Sequence, residues 1–138
     1  MVPRKGCVKS MEKTMNKATS DVSDKLHPNV QYLEPVYKSY GAKTSFSGRI
    51  VTVKCYEDNS LVETALRTNG KDSILVIDAG GSMNCAMLGD KRAADAINNE
   101  WEGIIVHGLV RDSVAINGME IGIRALGVYP LKKYSCNL

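Results

Sequence analysis

The chain has 138 residues, of which 43% are hydrophobic and 24% charged, with a formal net charge of +3. This suits one compact globular domain with a buried core and leaves little room for a second. So small a positive excess argues against a direct nucleic-acid binder, and no apolar run reaches the length of a membrane span or a secretory leader.

The charge is unevenly placed. "MVPRKGCVKSMEKTMNKATS" carries Arg4, Lys5, Lys9, Lys13 and Lys17 against the single acid Glu12. Residues 1–19 read as a basic extension, either a disordered tail or an organelle-targeting segment, and residues 20–138 as a single domain. Ser20 or Asp21 is expected to cap a brief helix that stops before Pro28. "RIVTVKCY" is β-branched and strand-like, and "DNSLVETALRTNG" reads as a capped helix closed by Asn69-Gly70.

"SILVIDAGG" is a continuous apolar run ending in glycines, as expected of a strand buried on both faces. In "GDKRAADAINNEW", Ala93, Ala94 and Ile97 stand at helical spacing, with Asp90 placed to cap them. "GIIVHGLV" is another strand, "RDSVAING" a short helix and "IGIRALGV" a last strand. Strand and helix alternate four times, which predicts an α/β fold with a largely parallel central sheet. Cys7, Cys55, Cys85 and Cys136 are widely spaced without Cys-x-x-Cys. Cys55 and Cys85 lie in apolar runs and are expected to be buried free thiols, consistent with a reducing, cytoplasmic setting, and a zinc site is not expected.

In such sheets ligands collect beyond the carboxyl ends of the strands. Three polar features fall there: "DAGGS", Gly89-Asp90 and Arg111-Asp112. "DAGGS" lacks the alternating glycines of a nucleotide or S-adenosylmethionine loop, which weighs against a methyltransferase. There is no G-x-S-x-G elbow, and His107, inside "IIVHG", reads as a core histidine bonded to backbone rather than a catalytic base. Asp112 is suited to hold a hard divalent cation, Mg²⁺ or Mn²⁺, with Asp90 ordering the ion's water. Arg111 offers a permanent positive fork for a carboxylate or enolate oxygen, and the N–H groups of Lys91 and Arg92 form an anion cradle. The same residues also suit plain helix caps and a surface ion pair, so residue type and spacing leave both accounts open.

At these residues the chain resembles a known family. "FSGRIVTVKCYEDNSLVETAL", "ILVIDAGGSMNCAMLGD" and "NNEWEGIIVHGLVRD...IGIRALGVYP" closely resemble the RraA-like proteins, which include regulators of ribonuclease activity and metal-dependent 4-hydroxy-4-methyl-2-oxoglutarate aldolases. The likeness runs from about Asp21 to Lys133. Some family members have been labelled menaquinone methyltransferases, a label the glycine pattern does not support. The resemblance implies a three-layer β/β/α swivelling domain, assembled as a ring-shaped homotrimer with sites near subunit interfaces.

It also implies roles for the residues above. Asp90, twenty residues, then Arg111-Asp112 match one of the two patterns found in active aldolases; Ala115 stands where the other pattern has a further acid. Asp112 would ligate the metal, Arg111 would contact the oxo-acid end of the substrate, Asp90 would order metal-bound water, and the amides of Lys91 and Arg92 would hold the carboxylate. The expected activity is that of a class II pyruvate aldolase, a carbon–carbon lyase that also decarboxylates oxaloacetate through a metal-stabilised pyruvate enolate. The alternative is a non-catalytic regulator that binds a ribonuclease. Two departures accompany the likeness: family members usually continue past "LKKYSCNL" into a further strand-rich segment, and the basic N-terminal extension is not a family feature.

Overall fold

The structure, a computed structural model, describes residues 2–3 and 18–133. The body of the basic extension, Cys7 and Cys136 lie outside the described residues. The chain divides into two compact units, residues 1–35 and 36–138.

In the first unit, strand β1 (Val2–Pro3) pairs antiparallel with β2 (Val30–Gln31). Helix α1 (Thr19–Leu26) buries Val22 and Leu26 against Val30. The expected helix forms, but Ser20 and Asp21 do not cap it; Ala18 holds the cap position without a side-chain bond. Asp21 lies inside the first turn instead, where its charge complements the helix dipole.

The second unit is built on a six-stranded sheet. It contains β3 (Lys38–Tyr40), β4 (Arg49–Lys54), β5 (Ser73–Asp78), β6 (Ala86–Leu88), β7 (Gly103–Val110) and β8 (Ile123–Val128), in spatial order β3-β8-β7-β5-β4, with β6 paired to β7. All pairings are parallel except β3 with β8. The chain is therefore a mixed α/β protein with a largely parallel central sheet. Helices α2 (Ser60–Leu66), α3 (Asp90–Asn98) and α4 (Ser113–Asn117) connect the strands.

Register shows why one face forms the core. Leu75 stands opposite Ile104 and Ile104 opposite Ile123; Ile77, Val106 and Ala125 form the next row. All six are buried, and side chains two apart on a strand share a face. Val62 and Leu66 of α2, Ala93 and Ala96 of α3 and Ile116 of α4 complete the same cluster. The intervening residues point the other way, and there Val76 and Ile105 are half-buried while Asp78 and His107 are exposed. The expectation that β5 is buried on both faces thus holds fully for one face and in part for the other, where Ile74 is buried, Val76 half-buried and Asp78 exposed. On α3 the buried positions are Ala93 and Ala96, not Ala94 and Ile97; Ile97 faces outward at 36% exposure. Small alanines let α3 sit close to the sheet and to α2.

One loop and one strand residue depart from expectation. "DAGGS" folds back on itself rather than opening towards a ligand. Asp78 Oδ1 accepts from Gly80 N at 3.0 Å, and Gly81 N donates to His107 O at 3.0 Å. Gly80 and Gly81 have φ of 67° and 71°, the left-handed region that glycine enters without steric cost. The loop is pinned from outside by Glu57, whose carboxylate accepts from Asn84 Nδ2 (2.7 Å), Ser82 Oγ (3.0 Å) and Lys133 Nζ (3.3 Å). The Asn84 and Ser82 bonds, with Lys133 adding to them, hold that carboxyl below its ordinary range. His107 is likewise no core histidine: it is exposed, and Nδ1 lies 2.9 Å from the Tyr37 hydroxyl in a hydrogen bond.

Phe46 covers Gly103 and Gly122, and a Cβ at either glycine would overlap its ring; Arg124 lies over the opposite reach of the ring, 5.0 Å from its centroid. Of the two described cysteines, Cys85 is buried and Cys55 half-buried, both as free thiols. Burial first, then the Asp58 and Asp78 carboxylates and Cys85, pushes the Cys55 thiol up to about 11. Among the described residues no helix is long and apolar enough to cross a membrane.

Two outcomes follow from this packing. Gly103→Ala is expected to destabilise the protein by about 1–3 kcal/mol in urea denaturation, because the added methyl displaces Phe46, and Phe46→Leu in the same chain should recover part of the loss. Cys55 should be almost unreactive at neutral pH, since only the thiolate attacks. Its alkylation, followed by peptide mass mapping, should rise about tenfold per pH unit between pH 7 and pH 10.

Candidate active site

The site is made by strands β6 and β7 ending side by side. Leu88 of β6 pairs with Val110 of β7, and Arg111 N donates to Leu88 O at 2.9 Å. The residues after each strand are thereby brought together, Gly89-Asp90 from one and Arg111-Asp112 from the other. To reach β6, the end of β7 leaves β5, with register shifts on both its partners between Val106 and Val110. Gly108 sits in this irregular stretch, where a Cβ would stand 2.9 Å from the Ala79 side chain.

Asp112 is the pivot. It precedes α4, where an aspartate would ordinarily cap the helix, yet no side-chain cap bond forms. Its backbone is left-handed, with φ of 59°, a conformation costly for most residues and more tolerable for aspartate. Instead of serving its own helix, Oδ2 accepts from Asp90 N at 3.2 Å and lies 3.5 Å from Arg111 Nε. Arg111 is held further by Nη1 donating to Pro130 O at 3.2 Å. Both side chains are about one-third exposed, open to a ligand yet partly shielded from water.

Gly89 makes this approach possible. A Cβ there would fall 2.7 Å from Asp112 Oδ2 and 3.2–3.3 Å from the Arg111 side chain. Gly89, not Asp90, is the cap residue of α3, and Asp90 is its first helical residue. Lys91 and Arg92 stand in the first turn of α3, so their N–H groups have no partner four residues back within the helix, and Gly89 has no side chain to meet them.

These residues line a pocket of about 260 Å³ whose walls include Asn59, Glu63, Leu88, Gly89, Asp90, Lys91, Arg92, Arg111, Asp112 and Lys132. All five residues singled out from the sequence are therefore together. "DAGGS" takes no part in the lining. Arg92 contributes more than its amide: Nη1 lies 2.6 Å from Glu63 Oε2, and Nε lies 3.0 Å from Asp95 Oδ2 as an ion pair out of hydrogen-bond alignment. Arg67 completes the cluster, 2.8 Å from Glu63 Oε1 and 3.7 Å from Asp95 Oδ2.

Asn59, Glu63 and Lys132 are pocket residues that the sequence did not disclose. Asn59 and Glu63 both lie within "DNSLVETALRTNG", which in sequence reads only as a capped helix. Lys132 follows the last strand and reaches the pocket because its segment runs beside β6, bridging Ala86.

The carboxylates of Asp112 and Asp90 could hold a hard divalent cation. Among the described residues no group of three His, Cys, Asp or Glu side chains could enclose a metal. The pocket instead offers carboxylate oxygens from Asp112 and Asp90, with Asp112 approached closely only because Gly89 lacks a side chain. An ion of the magnesium type, which keeps most of its shell as water or substrate, accepts such a sparse set.

The chain is similar in sequence and in fold to known proteins. A protein of Aromatoleum aromaticum with the provisional name 4-hydroxy-4-methyl-2-oxoglutarate aldolase is 49% identical over 114 residues, 83% of this chain and 72% of that protein. One of Dechloromonas aromatica with the same provisional name is 48% identical, over 83% of this chain and 72% of its own. Among solved structures, the RNA-processing inhibitor RraA from Thermus thermophilis superposes with a TM-score of 0.83 at 38% identity, covering 90% of this chain and 75% of that one. A Geobacillus kaustophilus protein described as an S-adenosylmethionine: 2-dimethylmenaquinone methyltransferase gives 0.84 at 40%, covering 88% and 75%. The RraA-like (Aldolase/RraA) family matches residues 19–137, and this chain belongs to it.

Proposed function

We propose that this chain is a divalent-metal-dependent lyase that cleaves 4-hydroxy-4-methyl-2-oxoglutarate or a close 4-hydroxy-2-oxo acid to release pyruvate, and that also decarboxylates oxaloacetate. One observation carries the reading: Asp112 forgoes capping its own helix and turns its carboxylate to Asp90 N, beside Arg111 and inside the pocket. The names borne by the relatives supply the substrate class.

In this reading Asp112 would hold Mg²⁺ or Mn²⁺ and Asp90 would order the ion's water. When bound, the cation supplies a Lewis acid that draws electron density from the 2-oxo acid. The protein's own groups do the rest. Arg111, anchored on Pro130 O, presents its remaining N–H donors to the oxo-acid end, where negative charge grows as the carbon–carbon bond breaks. The amides of Lys91 and Arg92 receive the substrate carboxylate at the start of α3. Four cationic and three anionic side chains line the pocket, which leaves it slightly positive, as suits an anionic substrate. Arg92 is already paired with Glu63 and Asp95, so its guanidinium frames the pocket rather than competing for the substrate.

A second reading, a non-catalytic regulator of a ribonuclease, is favoured by the close superposition on the Thermus inhibitor. The two readings separate at Asp112, because a protein-binding surface does not depend on one pocket carboxylate.

Pyruvate release from oxaloacetate and from 4-hydroxy-4-methyl-2-oxoglutarate should require added Mg²⁺ or Mn²⁺ and vanish with chelator. Asp112→Asn should reduce kcat/KM by about 10²-fold or more for both substrates without lowering Tm; equal turnover by the variant and the parent would overturn the lyase reading. Gly89→Ala should lower both activities comparably, since its methyl takes the space of the Asp112 carboxylate, while circular dichroism stays unchanged.

A further inference from the structure

Asn59 is a polar side chain with an unmet demand. It is 7% exposed, lines the pocket, and its Oδ1 is buried without a hydrogen-bond partner. An asparagine just before a helix ordinarily turns its oxygen to the N–H groups of the first turn. Here no such bond forms, and the neighbouring Asp58 takes that work instead, its Oδ1 accepting from Ser60 N at 2.8 Å. Backbone geometry therefore does not account for Asn59, and burying an unpaired amide is unfavourable. Asn59 as a residue lines the same space as Arg111, Asp112 and the start of α3.

We propose that Asn59 is the specificity residue of the pocket and binds the hydroxyl of a 4-hydroxy-2-oxo acid. The assignment rests on the lyase reading above and deepens it. At neutral pH the carboxylates and the keto group of such a substrate only accept hydrogen bonds; its one donor is the hydroxyl. Oδ1 needs a donor, and a hydroxyl supplies one. A hydroxyl also accepts, so it matches the side-chain amide in either orientation. Oxaloacetate in its keto form has no such hydroxyl and makes no use of Asn59. The residue thus selects for the aldol substrate over the decarboxylation substrate, because a site built for a hydroxyl is left with an unpaired polar group when the hydroxyl is missing.

The test compares parent and Asn59→Leu on both substrates with Mg²⁺, with Asn59→Ser as a smaller variant that keeps a hydroxyl. For Asn59→Leu, kcat/KM for 4-hydroxy-4-methyl-2-oxoglutarate should fall about ten- to hundredfold, while oxaloacetate decarboxylation stays within about threefold. Asn59→Ser should recover part of the aldol activity. Thermal unfolding gives a readout independent of turnover: the Tm of Asn59→Leu should equal or exceed the parent's, since a buried unpaired polar group has been removed. Loss of both activities together, or of neither, would overturn the assignment, as would a lowered Tm accompanied by equal losses in both variants. A parent protein that turns over neither substrate sinks the lyase reading itself and takes this assignment with it, which sets that failure apart from the others.

Discussion

The parallel pairing of β6 with the end of β7 is the constraint on which the site depends. A single backbone bond, Arg111 N to Leu88 O at 2.9 Å, aligns the two strand ends. Residues about twenty positions apart in sequence then emerge at the same point and in the same direction. An antiparallel pair would have sent the second loop to the opposite edge. The cost of this arrangement is borne locally, by the irregular stretch of β7 around Gly108 and by the left-handed backbone of Asp112. Both deviations lie at or beside the pocket, and the cores of β5, β7 and β8 remain in regular register.

The electrostatics of the pocket follow from a division of labour among arginines. Arg92 and Arg67 are consumed by Glu63 and Asp95 and link α2 to α3. Partly shielded pairs of this kind hold direction more than they add stability. Among the described residues Arg111 is met by the Asp112 carboxylate and the Pro130 carbonyl, and it lines the pocket. Removing the pairing acids would leave both arginines unpaired and make the surroundings of the pocket more positive.

Much of the fold was legible because it is written in local signals. The apolar runs that became β5, β7 and β8 and the helix after Gly89 announce themselves by length and period. Three residues, β6, were not legible: "AML" is too short to show a period, and its identity as a strand comes only from β7 lying beside it. β3 escaped for the same reason, being defined by β8 across 83–87 residues of chain. The site was legible in its charged members and illegible in its setting. Asp90, Arg111 and Asp112 could be singled out by their places at element ends, and the family resemblance gave them roles. That Asp112 leaves its helix uncapped, that Gly89 and not Asp90 is the cap, and that Asn59 is unpaired are facts about direction in space. His107 failed for a related reason: an apolar neighbourhood in sequence says nothing about which face of a strand is covered.

The anchor of Arg111 carries one more consequence. Its guanidinium rests on the Pro130 carbonyl, and Ala86 N donates to Leu131 O nearby, so both feet of the site stand on chain laid down after the last strand. Until β8 has docked and that segment has returned across the sheet, the arginine has nothing to rest on. A nascent or half-assembled chain therefore possesses the reactive side chains without their alignment, and maturation of the centre is tied to completion of the fold.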